Sequence, residues 1–230
     1  MKLQRFFIED KLKDKDTLLI TSDNLVNQLK NVFRFVKGDH VLFFDNSGYD
    51  FTFSINNFDN NSVSLNFINS RENTVIPTRE TYLFASLVKK DNFEWIAQKA
   101  TELGVSHIIP IASDRSEKKD LNLERIQKII IEAAEQSGRG TLPILYSITD
   151  LSSAITNYGH VKSIVWDPAS VKFSQKDVAD CIGAYIGPEG GWSPQELELF
   201  NEHGIQVRSL GPQILRSETA VIAVISQLVF

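Results

Sequence analysis

The sequence predicts an α/β protein in which helices cover both faces of a parallel β-sheet, with a small β-barrel before it. Residues 1–72 contain short runs that alternate apolar and polar side chains, as strands with one buried face do. Residues 73–230 instead alternate strand-like apolar runs with runs of helical spacing, which favours a parallel sheet with crossover helices. Two glycine-containing turns near the C-terminus, Ile186–Gly191 and Leu210–Thr219, each separate such a strand from such a helix.

The first part of the chain is predicted to form a meander of short strands. Polar turns at Asp45–Gly48 and Phe58–Asn61 separate consecutive runs, and Lys11–Asp16 is a polar loop. A meander of this kind is typical of a small barrel. Asn69–Thr74 is polar and is expected to be the linker to the second part. The predicted strands are Leu3–Ile8, His40–Phe44, Tyr49–Ile55 and Val63–Phe67, and Leu25–Phe35 is predicted to be a short helix.

The second part is predicted to contain five strands and four helices. Helical spacing runs from Phe93 to Leu103 and from Ile126 to Ala133, and glycines that favour helix ends follow both runs. A third helix begins at Ser193, where serine, proline and glutamate make a capping box, and the fourth spans Glu218–Phe230. The predicted strands are Thr81–Leu87, His107–Ile111, Ser163–Trp166, Ala184–Ile186 and Gln206–Leu210.

Composition narrows the functional class. Apolar residues make up 42% and charged residues 23% of the chain, as in soluble globular proteins. The net charge is −5 and neither part is a basic arm, which argues against strong non-specific binding to nucleic acid. Met1–Phe7 lacks the apolar core of a signal peptide, and no apolar run is long enough to span a bilayer. Because the single cysteine, Cys181, cannot form an internal disulfide, we expect a cytoplasmic protein.

Several common catalytic motifs are absent from the sequence. It contains no G-x-x-x-x-G-K-[ST], no G-x-G-x-x-G and no G-x-S-x-G, which disfavours P-loop, classical dinucleotide-binding and α/β-hydrolase functions. The four histidines are scattered singly, so no metal site is expected. The two glycine turns are the main indication of a ligand site, because glycine lets the backbone approach a ligand and present N–H groups to it. Turns that follow parallel strands meet at the carboxyl edge of the sheet, where such pockets form.

Four segments, in order along the chain, resemble the RsmE family of ribosomal RNA uridine-N3 methyltransferases, which belong to the SPOUT class. The loop Ser113–Ser116 also resembles the arginine-bearing loop of that family. The resemblance covers nearly the whole chain, and four ordered segments are far more specific than any one of them. The matching segments are Phe93–Val105, Glu135–Arg139, Ile186–Gly191 and Leu210–Thr219.

The resemblance implies a fold and a set of partners. Residues 73–230 would form the SPOUT methyltransferase domain with a C-terminal trefoil knot, and residues 1–72 a PUA-like RNA-binding barrel. S-adenosylmethionine (SAM) would be the methyl donor. The substrate would be N3 of a uridine in 16S ribosomal RNA, on the assembled 30S subunit. The family also implies a homodimer, and Ile222, Ile225 and Leu228 give the last helix an apolar stripe that could pack against a partner.

The resemblance also implies residue roles. Arg216 would stabilise the negative charge that develops when uridine N3 loses its proton, with Arg139 and Arg115 next in line. Glu189 or Glu218 could accept that proton, although a carboxylate in a first helical turn is also favourable without any catalytic role. The RNA-binding residues would be Arg5, Arg34, Arg115 and Arg139. The SAM-binding residues would be Trp166, Asp167, Pro168, Ile186, Gly187, Pro188, Glu189, Gly190, Gly191, Leu210, Gly211, Ile214, Leu215, Arg216, Thr219 and Ala220.

Two departures from the family pattern leave alternatives open. Family members usually carry arginine where this chain has Gln213, and glycine, an acidic and a basic residue where it has Lys90-Asp91-Asn92. One alternative is therefore a ribosome-binding or assembly factor without catalysis. The other is a SPOUT methyltransferase that acts on another RNA site or on a ribose 2′-OH, which the whole-length match disfavours. The intact glycine turns and Arg216 favour the enzyme.

Overall fold

A computed structural model describes residues 3–117, 120–174 and 179–230. The chain divides into two compact units. The first contains Met1–Ile76 together with Glu135–Thr141, and the second contains Pro77–Ala134 together with Leu142–Phe230. The short segment at 135–141, which the sequence placed with the second part, thus belongs to the first unit.

The first unit is built on a five-stranded sheet with the order β1-β3-β4-β5-β2. Strand β1 runs parallel to β3, and the other pairs are antiparallel. Because the observed pairing leaves β1 and β2 at the two ends of this order, the hydrogen bonds between the described strands do not themselves close a barrel. The strands are β1 (Arg5–Phe7), β2 (Thr17–Ile20), β3 (His40–Phe44), β4 (Tyr49–Phe58) and β5 (Val63–Glu72).

Three local features of this unit differ from the prediction. The predicted helix is a short α1 (Asp23–Asn27) that continues into a π-helical turn over Gln28–Val32. Strand β2 was not predicted, because four residues give too little alternation to recognise. The residues 69–72, expected in a linker, belong to β5, where backbone pairing with β4 holds polar side chains that face outward.

The core of the first unit is rich in phenylalanine. Phe43 and Phe53 are fully buried and meet edge to face, with ring centroids 5.9 Å apart, and Phe6 meets Phe33 in the same way at 5.4 Å. Such aromatic pairs add to the free energy gained from burying their apolar surface. Aliphatic side chains complete this core, namely Leu12, Leu18, Ile20, Val26, Leu29, Val41, Ile55, Val63 and Leu65.

A buried ion pair ties the segment 135–141 into the first unit. The Arg5 guanidinium lies 2.7 Å from Asp50 Oδ1 and donates a second hydrogen bond, of 3.2 Å, to the Arg139 carbonyl. Asn73 Nδ2 donates to Asp50 Oδ1 and to the Gly138 carbonyl, both at 3.0 Å. The Arg5 and Asp50 side chains are 5% and 4% exposed, so this pair is shielded from water.

The second unit is a parallel sheet with the order β12-β10-β11-β6-β7-β8, and β9 also pairs with β7. Every described strand pair in it is parallel. Its strands are β6 (Glu80–Ser86), β7 (His107–Ala112), β8 (Ile144–Leu145), β9 (Thr149–Asp150), β10 (Lys162–Trp166), β11 (Cys181–Ile186) and β12 (Gln206–Arg208). Its helices are α2 (Lys90–Leu103), α3 (Leu123–Ser137), α4 (Leu151–Asn157), α5 (Pro194–Glu202) and α6 (Ser217–Val229). The last three residues of α3 belong to the first unit.

The five predicted strands and four predicted helices of this part are present, but β8, β9 and α4 were not predicted. Two-residue strands are too short to show a period. Helix α4 has seven residues, and its N-cap, Asp150, accepts a hydrogen bond from the Ser153 backbone at 2.8 Å. Aspartate followed by serines is a cap signal that the sequence analysis missed.

Helices cover both faces of the parallel sheet, as predicted. Apolar residues of α2, α3 and α6 form one core cluster with the sheet, and those of α4 and α5 form the other. Ile225 and Leu228 are fully buried in the first cluster, so they hold the helix to the sheet and cannot form the exposed stripe expected for a partner; Ile222 is half-buried. None of the helices in the described ranges combines the length and apolarity that crossing a membrane would need.

The buried pair generates a stability prediction. Replacing Asp50 by alanine leaves the buried Arg5 guanidinium without its carboxylate, and breaking such a pair from one side is strongly destabilising. We expect Asp50→Ala to lower the free energy of unfolding by about 3 kcal/mol or more, measured by urea denaturation. Arg71, whose side chain is 71% exposed and lies 3.4 Å from Asp50, is the matched control. Arg71→Ala should cost less than about 1 kcal/mol, and equal losses in both variants would contradict the role given to burial.

Candidate functional site

A cavity lies at the carboxyl edge of the parallel sheet, where β10, β11 and β12 end side by side. The residues after β10 form one wall, the glycine turn after β11 a second, and the segment between β12 and α6 a third. This arrangement follows from the parallel direction of the strands, which brings their carboxyl ends to one edge. The lining residues are Trp166, Asp167, Pro168, Ile186, Gly187, Pro188, Gly191, Trp192, Leu210, Gly211, Gln213, Leu215, Ser217 and Ala220.

Most residues predicted for cofactor binding line this cavity. Five do not: Glu189, Gly190, Ile214, Arg216 and Thr219. Ile214 is 88% exposed, so it contributes no wall. Sequence reasoning missed three lining residues, Trp192, Gln213 and Ser217, although all three lie within or next to the glycine turns that it had singled out.

Local sequence fixes the shape of the first turn. Gly191 has a φ of +68°, which favours glycine, and its N–H donates to the Pro188 carbonyl at 2.9 Å. A Cβ on Gly187 would lie 3.2 Å from the indole of Trp192, so only glycine leaves the indole undisturbed. Helix α5 begins directly after this turn with the predicted capping box between Ser193 and Glu196.

The loop after β7 supports the same turn from outside the cavity. The Asp114 backbone donates to Glu196 Oε1 at 3.0 Å, and Ser193 Oγ donates to Asp114 Oδ2 at 2.6 Å. These bonds place the exposed Arg115 so that its guanidinium donates to the Gly190 carbonyl at 2.9 Å. Gly190 therefore packs on Arg115 rather than on the cavity: its Cβ would come 3.2 Å from Arg115 Cβ.

Two serines hold the second turn and join it to the first. Ser209 Oγ accepts a hydrogen bond from the Gly211 backbone at 3.1 Å. Ser217 Oγ donates to the Gly187 carbonyl at 2.8 Å, which fixes the start of α6 against the turn after β11. The two glycine turns thus form one structure, and the cavity lies between them.

The predicted catalytic residues of the second turn face away from the cavity. Leu215, Ser217 and Ala220 line the cavity, whereas the alternate residues line a neighbouring depression between the starts of α2 and α6. We call it the α2–α6 depression; its lining residues are Asp91, Asn92, Trp95, Arg216, Glu218 and Thr219.

Two predicted carboxylates lie at or near this depression. Glu218 is buried, and its Oε2 has no hydrogen-bond partner among the described residues. Glu189 reaches the depression from the first glycine turn, because Asn92 Nδ2 donates a long hydrogen bond of 3.4 Å to its Oε1. The structure therefore brings Arg216 and Glu218 to one side of the cavity, together with Asn92, which contacts Glu189.

Two of the predicted RNA-binding arginines are structural. Arg5 is buried in its pair with Asp50, so the prediction that it contacts RNA is wrong in this structure. Arg139, predicted to contact RNA and to assist catalysis, is 3% exposed; its Nε donates to the Thr141 carbonyl at 2.8 Å, and burial lowers the pKa of Arg139 to about 10. A side chain enclosed in this way cannot reach a phosphate without opening the first unit. Arg34 and Arg115 are exposed.

The donor set of the cavity suits an organic ligand better than a metal. Within the described ranges, no three histidine, cysteine or acidic side chains lie close enough to hold a metal ion. The walls are mostly apolar, with backbone groups of the two turns and the side chains of Asp167, Gln213 and Ser217 as polar elements. Apolar walls with a few polar groups are typical of cofactor sites.

Comparison with known proteins identifies the family. Residues 76–229 match the family model of the RNA methyltransferase domain. Ribosomal RNA small subunit methyltransferase E of Bacillus subtilis is 30% identical over an alignment of 250 residues. The alignment covers 97% of this chain and 95% of that protein. The chain belongs to the ribosomal RNA small subunit methyltransferase E family. The family member of Synechocystis is 31% identical and covers 92% of this chain and 72% of its own length.

Solved structures of similar proteins agree with this family over the whole chain. Ribosomal RNA small subunit methyltransferase E from Neisseria gonorrhoeae, bound to S-adenosyl methionine, superposes with a TM-score of 0.89 at 28% identity and covers 98% of this chain and 96% of its own. A Legionella pneumophila protein solved with the bound cofactor SAM gives a TM-score of 0.90, also at 28% identity, and covers 99% and 97% of the two chains.

Proposed function

We propose that this chain is a SAM-dependent methyltransferase that methylates N3 of a uridine in 16S ribosomal RNA of the assembled 30S subunit. The observation that carries the proposal is the cavity between the two glycine turns, in a family of which the Neisseria gonorrhoeae member was solved with SAM bound. The exposed Arg216 and the buried Glu218 beside that cavity supply the charges that chemistry on an imide nitrogen needs.

The residues present fit SAM. Trp166, Ile186 and Leu210 offer apolar walls to an adenine ring, and the backbone of the glycine turns offers hydrogen-bonding groups to the rest of the molecule. The indole N–H groups of the lining residues Trp166 and Trp192 have no partner among the described residues. Gly187 leaves room that a side chain would fill by displacing Trp192.

When bound, SAM supplies a methyl group already activated by its sulfonium. The work left to the chain is positioning and electrostatics. Glu218 is the better placed carboxylate to accept the N3 proton, because it lines the α2–α6 depression together with Arg216; Glu189 is the alternative. Arg216 would stabilise the negative charge that spreads to the uracil oxygens as the proton leaves.

The finer features of the family are also part of the proposal. A knotted path is supported by the strand order and by α6, which returns from β12 to pack on β11 and β6. The strand-rich first unit, with its own core, is proposed to be the PUA-like RNA-binding domain. A homodimer would use the half-buried Ile222 and Ala223 of α6 rather than the buried Ile225 and Leu228. The site of action would be the cytoplasm.

The cofactor assignment predicts the effect of filling the turn. We expect Gly187→Val to reduce SAM affinity at least tenfold in calorimetry, because its side chain would displace the Trp192 indole, which lines the cavity. Gly159, where a Cβ would meet its nearest neighbour at an ordinary 3.4 Å, is the control, and Gly159→Ala should bind SAM like the unmodified protein. Circular dichroism checks that both variants are folded. Undiminished affinity in a folded Gly187→Val protein would remove the cavity as the SAM site.

The substrate assignment predicts a difference between particles and free RNA. The chain carries a net charge of −5, so its affinity for naked RNA should be modest and recognition should depend on a shaped, exposed target. We expect efficient methylation of small subunits lacking the modification and poor methylation of uridine-containing oligonucleotides, with 3-methyluridine as the product in nucleoside mass spectrometry. Transfer to another nucleoside, or no transfer, would favour one of the two alternative functions.

The role of Arg216 predicts a split between rate and affinity. Its side chain lies outside the cavity, so Arg216→Ala should leave SAM affinity within about threefold while lowering the single-turnover methylation rate on small subunits at least a hundredfold, as expected for an interaction made in the transition state. Arg208→Ala, a change outside both the cavity and the depression, serves as the control. Equal losses of SAM affinity and of rate would mean that Arg216 only builds the cofactor site.

A further inference from the structure

The α2–α6 depression has a composition that the cofactor cavity does not explain. Of the three tryptophans in the chain, Trp166 and Trp192 are buried, whereas Trp95 is 42% exposed and forms part of the depression. A large aromatic surface is therefore presented to solvent beside a buried carboxylate, Glu218, whose Oε2 has no partner among the described residues. A buried carboxylate oxygen without a partner is costly in a folded protein unless a donor binds there.

The depression and the cofactor cavity are two sides of one segment. Leu215, Ser217 and Ala220 line the cavity, while Arg216, Glu218 and Thr219 line the depression. The depression therefore adjoins the cavity at the segment 215–220. A substrate of the proposed reaction has to lie next to the cavity, because its nucleophile must contact the methyl group of the ligand directly.

The charges of the depression indicate which chemical group of an RNA it can bind, a phosphate or a base. It holds two carboxylates, Asp91 and Glu218, against one guanidinium, that of Arg216. This balance disfavours a phosphate, which is bound by clusters of cations. A neutral base with an N–H donor between two acceptors fits better. Uracil has this pattern, since its N3–H lies between two carbonyl oxygens.

We propose that the α2–α6 depression receives the target uracil, and that the base stacks on Trp95. This inference rests on the proposed function. The Glu218 carboxylate then accepts the N3–H, and the donors of Arg216 and Asn92 face the uracil oxygens. Cytosine would place a lone pair, not a proton, against the carboxylate, so the same contact excludes it. Trp95 is a positioning residue in this arrangement, because it holds the base and takes no part in proton transfer.

The first test is kinetic and uses the full chain with small ribosomal subunits lacking the modification. Stacking of a base on an aromatic side chain is worth enough that its loss should lower kcat/KM for the subunit roughly 10- to 100-fold in Trp95→Ala. SAM affinity measured by calorimetry should stay within about twofold, and Trp95→Phe, which keeps an aromatic face, should recover most of the lost activity. Phe230→Ala removes another exposed aromatic side chain outside the depression and should behave like the unmodified chain.

A second measurement remains informative even if methyl transfer to N3 fails. Small-subunit RNA containing 4-thiouridine is irradiated with the protein, and mass spectrometry locates the crosslinked peptides. Crosslinks within residues 91–95 or 216–219 support the proposal, whereas crosslinks found only elsewhere overturn it.

A different outcome would be that a second copy of the chain covers Trp95. Light scattering tests this, because a lower particle mass for Trp95→Ala together with an unchanged kcat/KM would replace the base site by an interface.

Discussion

The parallel alignment of β10, β11 and β12 is the constraint on which the rest of the site depends. Their register places Trp166 beside both Ile186 and Arg208, so the three strands reach the same edge at the same level. Both faces of this sheet are covered by apolar side chains, which leaves the loops beyond its edge as the place for polar chemistry. The bond from Ser217 Oγ to the Gly187 carbonyl then fixes the returning helix at that edge.

The sequence allowed much of this architecture to be predicted, and the failures have physical causes. Alternation and helical spacing located the long elements, and the capping box at Ser193 is present. The two-residue strands β8 and β9 and the seven-residue helix α4 escape because they complete too few periods of their own pattern. Within the site, glycines mark where the backbone must turn but not what packs against it. Thus Gly190 was assigned to the cavity although it lies on Arg115, and Trp192 was missed although it lies against Gly187.

Burial separates the arginines in a way that residue type cannot. Arg5 and Arg139 are enclosed in the first unit, where one neutralises Asp50 and the other donates to a backbone carbonyl. Arg34, Arg115 and Arg216 are exposed. A cation that is already paired and desolvated would have to lose those interactions before it met a phosphate, whereas an exposed one gives up mainly water and, for Arg115, one hydrogen bond to the Gly190 carbonyl. Only the second group can serve RNA or a developing negative charge at low cost.

The two departures from the family pattern fall on different sides of the segment 215–220, and this decides what each can affect. Gln213 lines the cavity between the glycine turns, where a neutral amide still donates hydrogen bonds but supplies no charge. Asn92 lines the α2–α6 depression and donates to Glu189. A cation there would pair with the carboxylates and would make the depression more attractive to phosphate. The neutral asparagine keeps it suited to an uncharged base, so this departure is compatible with the enzyme rather than evidence against it.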